Sequence, residues 1–269
     1  MAEVIAITNQ KGGVGKTTTS INLAYFLARA GKKTLLLDFD PQGNATSGLG
    51  IDKSTLKKTM VEVFSGAAPI QKILITTKYK GLVLAPTVPQ LANTEVKLHK
   101  SNKKFTQLKK IVDEVRPDYD YIIIDCPPSL SLLTVNALVA ADYLILPVQT
   151  EFYALEGVGQ LLETITLLKK AMNPHLKLLG VLPTMADERT ALTKQVLIEI
   201  KKYFKEKVFD TPIPRNVRLA EAPSHGAPIG VYDRFSKGSR AYKKLSEEVI
   251  ARTTKPTPVK QASSRKEKN

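Results

Sequence analysis

Lys11-Gly12-Gly13-Val14-Gly15-Lys16-Thr17-Thr18 lies between an apolar run, Val4–Ala6, and an amphipathic one, Thr18–Ala30. A glycine-rich turn leading from a strand into a helix is the setting of a phosphate-binding loop. Glycines let successive backbone N–H groups curl around a phosphate without Cβ clashes. The helix that follows adds unpaired N–H groups and the positive end of its dipole. Gly12, Gly13, Val14, Gly15 and Thr18 are expected to form the cradle. Lys16 would reach the β- and γ-phosphates of a nucleotide, and the Thr17 hydroxyl would bind Mg²⁺. The loop departs from the G-x-x-x-x-G-K-[ST] pattern in two ways. Gln10 stands where the first glycine is expected, and a second lysine, Lys11, enters the loop. One lysine already serves the phosphates, so Lys11 calls for another use.

Working outward, two apolar runs end in carboxylates: Thr34–Phe39, which carries Asp38 and is followed by Asp40, and Tyr121–Asp125. In open α/β sheets, ligands sit beyond the carboxyl ends of strands. Asp40 is therefore expected to orient an attacking water and accept its proton. Asp125 is expected to hold Mg²⁺ directly or through a water, and Pro127-Pro128 to stiffen the turn after it. For Asp38, a capping role and a place behind Mg²⁺ both stay open. Further apolar runs, Leu82–Ala85, Tyr143–Val148 and Leu178–Leu182, alternate with amphipathic stretches at Leu155–Ala171 and Leu192–Phe204. Apolar strands alternating with helices predict an α/β fold. Its central sheet would be mostly parallel and largely apolar, with helices on both faces.

The 269 residues carry a formal charge of +15, an excess that suits a polyanionic partner. The single cysteine, Cys126, excludes an internal disulfide and a cysteine metal cluster, and fits a reducing cytosol. The apolar start of the chain lacks a basic segment before it and reads as a strand, not a signal peptide. No apolar stretch approaches a membrane span. One domain is expected over 1–252, closed by a helix at Arg240–Arg252. A basic, proline-containing tail is expected over 253–269, with five basic residues and one acid.

The loop with its extra lysine resembles the deviant Walker A motif of the ParA/MinD family, K-G-G-x-G-K-[ST]. Two further segments, Ile213–Gly226 and Gln149–Gly157, resemble those of chromosomal ParA proteins of the Soj type. The similarity runs from about Val4 to about Arg252. It implies a P-loop ATPase that uses ATP and Mg²⁺. Lys11 would reach across a two-fold interface to the ATP of a second copy, giving a homodimer. Asp40 would orient water, and Pro214 and Asn216 would contact the adenine. The resemblance also implies nucleoid association through non-specific double-stranded DNA, and a ParB-like protein that stimulates hydrolysis.

The siblings separate on residues. Iron-protein relatives bridge a cluster with two cysteines per subunit, and this chain has one. MinD-like relatives bind membranes through a C-terminal amphipathic helix, but this C-terminus has two prolines and no apolar face, so no membrane partner is expected. For DNA, about 100° per residue puts Lys194, Lys201 and Lys205 on one stripe of a helix from Leu192, with Lys202 at its edge. Leu192, Val196, Ile200 and Tyr203 would face inward. Arg189 and Arg218 match positions where ParA proteins carry DNA-binding arginines, and Arg240, Lys243 and Lys244 are further candidates. Such contacts go to phosphates and carry little sequence information. The few residues before Val4 leave no room for a helix-turn-helix module, so operator binding is not expected. Two other readings remain: a ParA-like ATPase that positions a protein cargo on the nucleoid, and a P-loop enzyme that phosphorylates or amidates a small substrate.

Overall fold

The computed structural model describes residues 1–98, 104–151, 156–187 and 189–254. Seven strands form one sheet: β1 (Glu3–Ile7), β2 (Thr34–Asp38), β3 (Ile75–Thr76), β4 (Leu82–Ala85), β5 (Tyr121–Asp125), β6 (Tyr143–Gln149) and β7 (Lys177–Thr184). Their order is β3-β4-β2-β5-β1-β6-β7. All neighbours run parallel except the short edge strand β3, which lies antiparallel to β4. The helices are α1 (Lys16–Arg29), α2 (Asn44–Gly48), α3 (Met60–Phe64), α4 (Leu91–Leu98), α5 (Gln107–Val115) and α6 (Leu132–Ala140). They continue with α7 (Glu156–Ala171), α8 (Ala191–Phe204), α9 (Val217–Glu221), α10 (Ile229–Tyr232) and α11 (Lys237–Thr254). The expected α/β architecture is therefore present.

Each apolar strand serves two cores because successive side chains point to opposite faces. Val4, Ala6, Leu35, Leu37, Ile122 and Ile124 join one buried cluster, with residues of α5, α6, α7 and α8. Ile5, Ile7, Leu36 and Ile123 join the other, with residues of α1 and α11. Fully burying each Val, Leu or Ile side chain among them stabilises the fold by about 1.5–3 kcal/mol. This explains why the strands read as continuous apolar runs and not as alternating ones.

Three features differ from the sequence reading. Strand β3 went unseen, since two residues carry no periodicity. On α8 the buried residues are Thr193, Val196, Ile200 and Phe204, while Leu192 and Tyr203 are 42% and 64% exposed. The inward face is turned by about one position from the expected one, because its 3-4-4 spacing runs through Thr193 and Phe204. The last helix begins at Lys237 and continues through Thr254. Thr253 is buried and shares a 2.7 Å hydrogen bond with the Tyr121 hydroxyl, so the helix extends past the expected start of the tail. Residues 255–269 of that tail, and Phe152–Leu155 of the family-like segment, lie outside the described residues.

Candidate active site

Sheet order assembles the site. β1 lies between β5 and β6, so the loop leaving β1 emerges beside the carboxyl end of β5. In the register, Ile7 pairs with Asp125, and Asp125 pairs with Asp38 of β2. Three chain segments remote in sequence thus meet at the carboxyl ends of central strands, where this topology binds ligands.

The loop is held from below and from the side. The Asn9 amide donates to the Pro147 carbonyl (2.7 Å), and its oxygen accepts the Lys11 N–H (3.0 Å). The Thr184 hydroxyl donates to the Val14 carbonyl (2.9 Å), tying the loop to β7. Gly15 has φ +89, a left-handed conformation that admits glycine readily, and from it the chain enters α1. Asn9 and Thr184 were not singled out from sequence, because their partners are remote along the chain.

The two lysines diverge. Lys16 is buried, and its Nζ donates to the Lys11 carbonyl at 3.2 Å. Burial lowers its pKa, and the nearby carboxylates of Asp125 and Asp40 oppose that shift. Lys11 is half-exposed and forms an ion pair with Glu151, Nζ to Oε2, at 3.3 Å.

Asp125 is fully buried and accepts from the Ser20 hydroxyl (2.8 Å) and from Thr17. Its Oδ2 has no partner among the described residues. Asp38, also buried, accepts the Thr46 N–H (2.7 Å) and hydroxyl (2.6 Å), while its Oδ1 has no partner among them. Burial raises both pKa values. Hydrogen bonds from Thr17 and Ser20 restrain Asp125, and the neighbouring Asp125 raises Asp38 further. Two free oxygens of buried carboxylates, with the Thr17 hydroxyl beside them, are hard donors of the kind that Mg²⁺ takes. No group of three or more His, Cys, Asp or Glu side chains able to hold a metal alone occurs among the described residues. Asp40 is buried in the following loop, where its Oδ1 accepts the Gln42 N–H at 3.0 Å. Ser20 and Thr46 are the groups that sequence reading missed. For Ser20 the signal was its i+4 spacing from Lys16.

Beside Gly15 and Thr18 opens a largely apolar cleft of about 320 Å³, lined by Met185, Ile213, Pro214, Asn216, Leu219 and Tyr242, among others. Pro214 and Asn216 therefore meet at the flank of the loop. The Asn216 oxygen caps α9 through the Arg218 N–H (2.8 Å), which leaves its NH₂ group as the donor.

Arg189 lies 89% exposed in a two-point pair with Asp187, whose carboxyl it holds down to about 2. It shares a cleft of about 600 Å³ with Arg215, Lys237, Arg240 and Lys244. The exposed α8 lysines Lys194, Lys201 and Lys202 do not line that cleft. Lys205 lies past the end of α8, at φ +49, so it leaves the helical stripe expected of it. Arg218 pairs with Glu221 (2.9 Å) and Asp233 (3.7 Å).

The parallel sheet, the strand-to-helix phosphate loop and the two strand-end carboxylates define a P-loop nucleotide hydrolase. Residues 2–178 match a family profile described as an AAA domain. The sporulation initiation inhibitor protein Soj of Bacillus subtilis (strain 168) is 53% identical over 251 residues, covering 93% of this chain and 99% of that protein. The chromosome partitioning protein ParA of Myxococcus xanthus (strain DK1622) is 49% identical over 258 residues, covering 96% and 91%. Among solved structures, cobyrinic acid a,c-diamide synthase from Mycobacterium smegmatis with bound ATP analog and magnesium is 37% identical. It has a TM-score of 0.86, with 94% of this chain and 96% of that one covered. The chain belongs to the Soj/ParA family of partitioning ATPases. No described helix is long and apolar enough to cross a membrane.

Proposed function

We propose that this partitioning ATPase is a nucleotide-gated clamp on DNA. The cradle from Gly12 to Thr18 binds the phosphates of ATP, with Lys16 on their terminal charge. Pro214 packs against the adenine, and the Asn216 NH₂ group donates to its edge. Thr17 and Asp125 hold Mg²⁺, with Asp38 behind them. When bound, Mg²⁺ neutralises charge that builds on the phosphate oxygens. Asp40 orients the attacking water and takes its proton, and burial of the site limits competing solvent.

One observation carries the reading: two lysines of a single loop point to two places. Lys16 is buried in its own loop, and Lys11 stands half-exposed at the rim. A cation directed outward has no work on its own phosphates. It supports a second copy facing the first, with Lys11 donated in trans as an arginine finger would be. Pairing doubles the basic surface, and affinity for non-specific double-stranded DNA then rises steeply. Hydrolysis removes the phosphate that joins the copies, and they leave the DNA. A ParB-like protein would accelerate that step, with the chain cycling on and off the nucleoid.

The named likeness to a diamide synthase favours a second reading, amide transfer to a small acid. Thiol-based glutamine chemistry would need an accessible nucleophile, and the only cysteine, Cys126, is fully buried with its pKa pushed up by burial. The deciding experiment compares duplex binding and dimer formation in the apo, ADP and ATP states and for Asp40→Ala. Duplex binding that requires ATP and persists in Asp40→Ala is the expected result. Nucleotide-independent behaviour, with turnover only on a small acid, overturns the clamp.

A further inference from the structure

The cleft that holds Arg189 is the first of three basic clefts joined end to end. A second, of about 300 Å³, is lined by Arg29, Arg234, Arg240 and Lys243, and it shares Arg240 with the first. A third, of about 700 Å³, is lined by Lys32, Lys33 and Lys80, and it shares Arg29 with the second. The linings of all three include only two carboxylates, Asp187 and Glu247. Those two are paired with Arg189 and Lys243. Among the described residues, Arg29, Arg234, Arg240, Lys33 and Lys80 have no carboxylate within ion-pair distance of their side-chain nitrogens. A row of exposed, unneutralised cations on one flank costs self-repulsion unless a polyanion is there to relieve it.

The row has a direction. Its upper end adjoins the nucleotide side of the molecule, since Pro214 and Arg215 line both the first cleft and the cleft beside Gly15. It crosses α11 at Arg240 and reaches the end of α1 at Arg29. It finishes at Lys33 and Lys80, just before β2 and β4, at the opposite edge of the sheet. The 14 residues of α1 span about 21 Å at 1.5 Å each. That length is enough to meet several successive phosphates of one strand.

Resting on the clamp reading above, we propose that the DNA backbone follows this track down the α1–α11 flank. It would run from the base cleft to the N-terminal edge of the sheet, with Arg29, Lys33 and Lys80 binding phosphates at the lower end. The contacts are ionic and need no base sequence. The α8 lysines do not line it.

The test compares two triple variants of equal charge change in the full chain with Mg-ATP, on a random-sequence duplex at several salt concentrations. Arg29→Gln/Lys33→Gln/Lys80→Gln removes the lower track. Lys57→Gln/Lys58→Gln/Lys72→Gln removes three exposed lysines around a cleft that shares no lining with the track. The track triple is expected to weaken binding by about tenfold or more, and to flatten the dependence of log K on log salt by about 0.9 for each phosphate no longer neutralised. The control triple is expected to change binding less than about threefold, and both triples to retain basal ATP hydrolysis, which verifies folding. Equal losses from both triples, or no loss from the track triple, overturn the track while leaving the clamp intact. A wild-type chain that binds no duplex in ATP overturns both. If the track triple keeps DNA binding but no longer sediments with phosphatidylserine vesicles, the polyanion is a membrane surface and the proposal fails.

Discussion

Lys11 and Glu151 pair across the mouth of the phosphate loop, Nζ to Oε2 at 3.3 Å, with both side chains nearly half exposed. The chain therefore holds its second lysine in cis. An exposed pair of this kind is worth about 0.2–1 kcal/mol, so it parks Lys11 without trapping it. Glu151→Gln is expected to shift the ATP concentration needed for pairing by less than about fivefold. Under the clamp reading, Lys11→Gln should leave nucleotide binding by the single subunit within about threefold, yet abolish ATP-driven dimers, because it would remove the charge sent across. Light scattering at matched nucleotide occupancy reads both. Dimers from Lys11→Gln at wild-type ATP would contradict the trans role.

Under the clamp reading Asp40 orients the attacking water, so its loss should appear in turnover only. Asp40→Ala is expected to slow phosphate release by about 10²–10⁴-fold, the range of general-base contributions, while ATP affinity stays within about threefold. A phosphate-release assay paired with nucleotide titration separates the two. An unchanged rate would move the water-orienting role elsewhere.

The buried carboxylates should make stability depend on pH. Asp38 and Asp125 both have raised pKa values in the folded chain, chiefly through burial. Above the ordinary carboxylate value, about 4, the unfolded chain has lost protons that the folded chain still holds. Unfolding then becomes easier as pH rises, by at most about 1.4 kcal/mol per pH unit per group, until the raised values are passed. The nucleotide-free protein should therefore lose thermal stability from about pH 5 to about pH 8. Asp38→Asn, which keeps an acceptor for Thr46, should flatten that decline. Mg-ATP should flatten it as well, by favouring the charged form of Asp125. A Tm that is level with pH in the unmodified apo chain would show that these groups do not carry the coupling.

Arg189 and Arg218 are each held by acids of their own chain, Asp187 in one case, Glu221 and Asp233 in the other. Under the clamp reading, Arg189→Glu with Arg218→Glu should spare ATP-driven dimerisation and reduce duplex affinity by about tenfold or more. Asp187→Asn should raise affinity by a few-fold, since a carboxylate competing with phosphate for Arg189 is removed. Retardation of a random duplex reads both affinities, and light scattering reads the dimer. A double variant that still binds at full strength would exclude both arginines.

Near its C-terminus the last helix makes a buried polar contact, Tyr121 hydroxyl to Thr253 hydroxyl at 2.7 Å. Tyr121→Phe should cost about 1 kcal/mol, as an ordinary intramolecular hydrogen bond does. Urea unfolding should register it as a lower midpoint at unchanged slope. A stability equal to that of the parent would mean that packing alone holds Thr253.

The phosphate loop, the apolar strands and the two strand-end aspartates were legible in the amino-acid order because each is a local pattern. Glycine spacing dictates which turn the backbone can make, and a run such as Tyr121–Asp125 announces a strand buried on both faces. What surrounds those signals was not legible. Ser20 on Asp125 and Thr184 on the loop join residues 105 and 170 positions apart, and only the sheet order brings them into reach. Thr46 lies just 8 positions from Asp38, yet it meets that carboxylate only because α2 folds back over the end of β2. The inward face of α8 was misjudged by one position, because the packing partner selects the face and Thr193 carries no apolar signal. The basic flank depends most on tertiary structure. Arg29, Lys33, Lys80, Arg234 and Arg240 come from separate segments, and charge gathers into a track only where the folded chain sets α1, α11 and the strand starts side by side.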